Sequence, residues 1–159
     1  MQYYPENDIK VLVGCAPCQP FSSHTNKYKK DPNAPRDKRW FLLNHFSRLI
    51  EEVRPDVVSM ENVPQLSKQK IFEEFVIKLQ TLNYNVSWSV VYCPNYGIPQ
   101  RRNRLVLLAS RYGDIRLMPP THTPDNYCTV RTAIGNVVPI AAGESDSVDK
   151  LHCSSRLSA

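Results

Sequence analysis

Cys18 sits in the run Gly14-Cys15-Ala16-Pro17-Cys18-Gln19-Pro20-Phe21-Ser22, directly after the apolar stretch Ile9 to Val13. A thiolate is the strongest nucleophile among ordinary side chains, so a cysteine held just past the end of a buried strand invites a catalytic reading. Two further runs bring charge. Met60-Glu61-Asn62-Val63 closes a second apolar stretch with a carboxylate, and Gln100-Arg101-Arg102-Asn103-Arg104 opens a third with three guanidinium groups.

The elements that would position these groups are legible from periodicity. Ile9 to Val13 reads as a first strand, and residues 15–39 as a long polar loop carrying Lys27, Lys29, Lys30, Arg36, Lys38 and Arg39. Leu42, Phe46, Leu49, Ile50 and Val53 recur at helical spacing and predict a helix from Trp40 to Arg54, ended by Pro55. Asp56 to Met60 is a second strand. Ile71, Phe72, Phe75, Val76, Leu79 and Leu82 mark a second amphipathic helix, with Ser67 as its expected N-cap. Tyr84 to Tyr92 and Arg104 to Ala109 are the third and fourth strands, joined through Pro94, Gly97 and Pro99. From Arg111 onward periodicity fades into a proline-punctuated tail that reads as a connector.

Strand, helix, strand, helix, strand implies parallel pairing, and the short link between the last two strands implies an antiparallel final pair. Cys18 and Glu61 then follow the carboxyl ends of parallel strands, while Gln100 to Arg104 starts an antiparallel one. All three runs converge on one rim of the sheet, the rim at which open α/β sheets bind ligands.

GCAPCQPFS, ENV and QRRNR, in this order, resemble three signature motifs of the DNA cytosine-5 methyltransferases. The resemblance is strong from Ile9 to Ser110 and continues more weakly through Thr129–Gly135 to Leu157-Ser158. It implies an α/β fold: a partial, Rossmann-like methyltransferase sheet, mostly parallel with an antiparallel last strand and with its first strands missing. Residues 1–112 would be the C-terminal half of the catalytic domain, and residues 113–159 a connector toward an absent target-recognition domain.

It also implies roles. Carbon 5 of cytosine is a poor nucleophile, and adding a thiolate at carbon 6 converts the ring to an enamine-like species. Cys18 would be that nucleophile. Glu61 would hydrogen-bond or protonate ring nitrogen 3, Arg104 would hold oxygen 2, and Arg102 would order the loop. Gln19 and Ser22 match contacts to DNA or to the nucleophile loop, and Lys27, Lys29, Lys30 and Arg39 would meet phosphates as the loop closes over double-stranded DNA. S-adenosyl-L-methionine would be the methyl donor, with Pro17 and Leu42 at positions that contact it. The chain has five glycines and no G-x-G turn, so the cofactor site is expected to be incomplete, a second polypeptide could supply the missing motif, and little activity is expected of this chain alone. Where the family commonly has Gly-Pro, this sequence has Cys15-Ala16, and Cys15 reads as a packed bystander.

Other readings stay open. Taken singly, Cys18 fits a buried structural thiol, Glu61 a solvated carboxylate, and the arginines surface charge. Cys15-Ala16-Pro17-Cys18 is also a C-x-x-C sequence after a strand, the layout of a thiol oxidoreductase, although Gln19 to Ser23 does not start the helix such motifs open and ENV and QRRNR would go unexplained. An inactive nucleic-acid-binding remnant and an RNA cytosine-5 methyltransferase are further alternatives.

Composition sets the frame. The chain has 159 residues, 42% hydrophobic, with a net charge of +5 and an isoelectric point near 9.0, which fits a polyanionic partner. Five cysteines at irregular spacing argue against a disulfide framework and for a reducing cytoplasm; the family resemblance implies a bacterial one, with the protein at the nucleoid. No apolar run approaches the roughly 18 residues of a membrane helix, and Pro5, Glu6 and Asp8 interrupt any signal-peptide core, so no membrane is expected as a partner. His24, His45, His122 and His152 lack ligand-like spacing, so no metal is expected. Cys93, Cys128 and Cys153 are read as packed or exposed without function.

Overall fold

A computed structural model of the chain describes residues 8–16 and 42–156. The order is β1 (Val11–Gly14), α1 (Leu42–Val53), β2 (Val57–Asn62), a 3-10 turn (Pro64–Lys68), α2 (Lys70–Thr81), β3 (Asn85–Tyr92), a second 3-10 turn (Cys93–Tyr96) and β4 (Asn103–Ser110). A third 3-10 turn (Pro124–Asn126) and the short α3 (Val130–Ile134) follow.

The fold is α/β, as the sequence predicts, with one difference in order. The four strands lie as β1-β2-β4-β3. β1 and β2 pair in parallel, Val11 opposite Val57 through Gly14 opposite Met60. β4 inserts between β2 and β3 and runs antiparallel to both. Three strands therefore share one direction, but β3 never pairs with β2. Composition explains the insertion. Leu105, Leu107 and Ala109 of β4 are fully buried, whereas Ser87 and Ser89 make β3 a half-polar strand suited to an edge.

α1 and α2 cover one face. Leu43, Phe46 and Ile50 of α1 and Phe72, Phe75 and Leu79 of α2 pack with Val58, Met60, Leu105 and Leu107 into one core. Phe46 stacks on Phe75 at 6.0 Å. Each side chain of this kind contributes about 1.5–3 kcal/mol on burial. Phe46 also lies so close to Gly14 that a Cβ there would sit 2.3 Å from its Cε2, so only glycine lets α1 close over the end of β1. Tyr84, buried by the core, donates its hydroxyl to Pro55 O at 2.5 Å, and burial raises its pKa above the usual phenol value.

The expected N-cap at Ser67 is not formed. Pro64 starts a 3-10 turn, inside which Ser67 Oγ donates to Pro64 O at 2.7 Å, and α2 begins two residues later behind Gln69 without a side-chain cap. The sheet face away from the helices carries no helix among the described residues, and Val11 and Val13 there are 58% and 71% exposed.

Candidate active site

Strand alternation decides which side chains meet at the carboxyl end of β1 and β2. Val58, Met60 and Asn62 point into the core, so Ser59 and Glu61 point to the other face. In β4 the same alternation buries Leu105 and Leu107 and turns Arg104 and Val106 toward the face of Glu61, with Glu61 opposite Val106. Arg104 is then one diagonal step from Glu61. Its Nε forms an ion pair with Glu61 Oε1; the Arg104 side chain is 14% exposed and that of Glu61 43%. Arg104 Nη1 donates to Asn103 O at 2.8 Å, which steadies the guanidinium.

The second oxygen of Glu61 is also engaged. Cys15 Sγ donates to Glu61 Oε2 at 2.7 Å. Cys15 is therefore no bystander; it orients the carboxylate, a role hidden in the sequence because the parallel register that carries β1 alongside β2 cannot be read from either run alone. Asn62 is the other residue missed. It is 2% exposed, its Nδ2 donates to Ala16 O at 2.9 Å, and its Oδ1 accepts the Val63 N–H at 2.9 Å. A buried amide at a strand end is the signal that marks it, since such a group must find partners. These bonds pin the end of β2 to the chain two residues before Cys18.

The expected site residues divide accordingly. Glu61 and Arg104 come together at the predicted rim. Arg102 is exposed, and its carbonyl accepts the Cys93 N–H at 2.8 Å, closing the turn that leads into β4. Leu42 is half-buried at the first position of α1. Cys18, Pro17, Gln19, Ser22, Lys27, Lys29, Lys30 and Arg39 lie outside the described residues.

The family model for C-5 cytosine-specific DNA methylases matches residues 2–155. The chain belongs to this family. Among its methylase relatives, the Type II methylase M.HgiDII of Herpetosiphon aurantiacus is 49% identical over 157 residues, 97% of this chain and 43% of that protein. The Type II methyltransferase M1.HphI of Haemophilus parahaemolyticus is 29% identical over 152 residues, 93% of this chain and 40% of that protein. The chain thus spans about two fifths of the length of these relatives. The fold is shared with an Escherichia coli prophage-encoded protein assigned as a DNA modification methyltransferase, with a TM-score of 0.63 at 24% identity over 88% of this chain and 38% of that one. Entamoeba histolytica EhMeth matches with a TM-score of 0.53 at 24% identity, over 72% of this chain and 37% of the other.

No helix among the described residues is long and apolar enough to cross a membrane.

Proposed function

We propose that the protein transfers a methyl group from S-adenosyl-L-methionine to carbon 5 of cytosine in double-stranded DNA, as part of a restriction–modification system in the bacterial cytoplasm. The observation that carries this reading is the Glu61–Arg104 pair at the strand rim from which the chain runs on to Cys18. A protonated carboxyl and a guanidinium side by side match the edge of cytosine, where nitrogen 3 and oxygen 2 are adjacent acceptors.

The chain's own residues would divide the work. The Cys18 thiolate adds to carbon 6. Glu61, protonated from solvent as the base displaces Arg104 from it, hydrogen-bonds or protonates nitrogen 3 as the ring gains electron density, and Arg104 stabilises charge at oxygen 2. In this structure the two spend their groups on each other, so the incoming base would take over contacts that already exist instead of ordering free side chains. Asn62 holds the strand end from which the nucleophile loop departs, and Arg102 orders the turn before β4. The target base must leave the duplex stack, which costs a few kcal/mol, and Gln19, Ser22, Lys27, Lys29, Lys30 and Arg39 would meet the DNA around it.

The bound cofactor supplies the electrophilic methyl group. Leu42, at the start of the helix that closes over Gly14, would offer it an apolar contact, and Pro17 would lie nearby in sequence. The described residues hold no glycine-rich turn for its nucleotide part, so a further segment or a second polypeptide would provide it.

The test is transfer of a labelled methyl group to mixed-sequence duplex DNA, by this chain alone and mixed with the glycine-rich cofactor half of a Type II methylase. In the mixture, transfer to cytosine carbon 5 that disappears in Cys18→Ser is expected, with little transfer by this chain alone. Transfer that survives Cys18→Ser, or lands on an exocyclic amine, would overturn the reading. Binding to DNA without transfer in either mixture would favour the inactive remnant.

A further inference from the structure

Cys128, which the sequence left without a role, is built into a second chemical cluster. Residues 121–128 fold back onto the turn after β3. The N–H groups of Thr121 and His122 both donate to Asn95 O, at 2.9 and 3.0 Å, and Tyr127 Oη donates to Asn95 Oδ1 at 2.6 Å. The His122 ring is laid on Gly97, the left-handed residue of that turn, where a Cβ would come within 2.9 Å of its Cε1.

The ring so held has a partner at each nitrogen. Nδ1 is 2.9 Å from Thr121 Oγ1, and Nε2 is 3.7 Å from Cys128 Sγ. Cys128 is half-buried and lines an open cavity of about 350 Å³ together with Gln100, Arg101, Tyr127 and Thr129. A nucleophile, a base in reach, a hydroxyl that orients the base, and a cavity carrying a cation and an amide therefore share one place. Reactive thiols occupy partly exposed, electropositive settings of this kind.

We propose that Cys128 is a modification site that undergoes thiol–disulfide exchange with a small carboxylate-bearing disulfide of the glutathione type. His122 Nε2 takes the thiol proton. The Cys128 thiolate attacks one sulfur of the disulfide, a new S–S bond forms as the old one breaks, and the departing thiolate receives the proton back from His122. Cys128 is oxidised and the departing sulfur reduced, so no other oxidant is required. The cavity accepts the body of the adduct, and Arg101 and Gln100 face its carboxylates. Methyl transfer plays no part in this reaction.

The experiment is to incubate the chain at neutral pH with oxidised glutathione, and separately with iodoacetamide, and to follow the adduct on each cysteine by peptide mass spectrometry. Cys128 is expected to react at least about tenfold faster than Cys153, which is the more exposed of the two. His122→Asn should slow Cys128 by a similar factor and leave Cys153 unchanged. Arg101→Gln should slow glutathionylation of Cys128 but not its alkylation. Cys128 reacting no faster than Cys153 in the unaltered chain overturns the proposal, and that comparison does not depend on any variant folding. An unchanged Cys128 rate in folded His122→Asn overturns it equally.

Discussion

The two rims of the sheet hold a carboxylate each, and they hold it differently. At the rim where β1 and β2 begin, Asp56 accepts the backbone N–H of Lys10 at 2.8 Å and the hydroxyl of Tyr112 at 2.9 Å, with Arg111 Nη1 at 3.8 Å. At the opposite rim Glu61 is met by Cys15 and Arg104. Asp56 is 13% exposed in its side chain and Glu61 43%. One carboxylate is tied to the backbone of a neighbouring strand; the other is met by side chains that can rotate away. The first arrangement closes a sheet, and the second keeps a charged group in place until something displaces its partners.

The sharpest way to break this comparison is a pair of isosteric substitutions. Glu61→Gln should lower methyl transfer by about 100-fold or more, while thermal unfolding followed by circular dichroism shifts by no more than a partly exposed ion pair is worth, about 1 kcal/mol. Asp56→Asn should do the reverse, lowering the melting temperature by several degrees while sparing transfer per folded molecule. If the two variants behave alike, the division between the rims is wrong.

Acid sharpens it further. The Lys10 N–H, then Tyr112 and Arg111, hold the Asp56 carboxyl below its ordinary value of 3.8, against the upward push of burial. A carboxyl depressed in the folded state adds stability above its unfolded pKa and loses it as pH falls through the folded one. The stability difference between the wild type and Asp56→Asn should thus be full above about pH 5 and shrink as pH falls through the ordinary value of 3.8 toward the lower folded one. Asp146, held low by the N–H groups of Asp149 and Val148, acts in the same direction in both proteins, so the difference isolates Asp56.

Smaller effects follow. Asn62→Ala removes the bond to Ala16 O and should cost about 1–3 kcal/mol in urea unfolding, with a slowing of transfer beyond that expected from lost folded protein. Cys15→Ala should slow transfer by a few-fold, and Cys15→Ser, which keeps a donor, by less. Abolition by Cys15→Ser would instead favour the C-x-x-C chemistry. Lys78→Ala, which removes an exposed 2.7 Å contact to Glu51, should change stability by less than about 1 kcal/mol.

Much of this was legible beforehand because local patterns answer local questions. The spacing of Leu42, Phe46, Ile50 and Val53 gives the end of α1 to within one residue, and Pro55 marks its stop, while the expected start at Trp40 lies outside the described residues. The convergence of Glu61 and Arg104 follows from strand direction alone. What spacing cannot give is lateral order, because β4 lies beside β2 only through pairing across more than forty residues. The exchange of Ser67 from cap to 3-10 turn was hidden for a nearer reason: Pro64 sets the backbone before the helix can use the serine. Cys15 was misread because its partner is forty-six residues away, on a strand whose register no run of residues records.

The threading of β4 between β2 and β3 has a consequence for how the protein is made. Synthesis delivers β2, then β3, and only afterward the strand that joins them. Before residue 104 has left the ribosome Glu61 lacks its cation, before residue 110 β2 lacks its complete second partner, and before residue 112 Asp56 lacks its full set of Arg111 and Tyr112. Domains acquire structure as they emerge, and here both rims are completed by the one stretch of chain that follows β3.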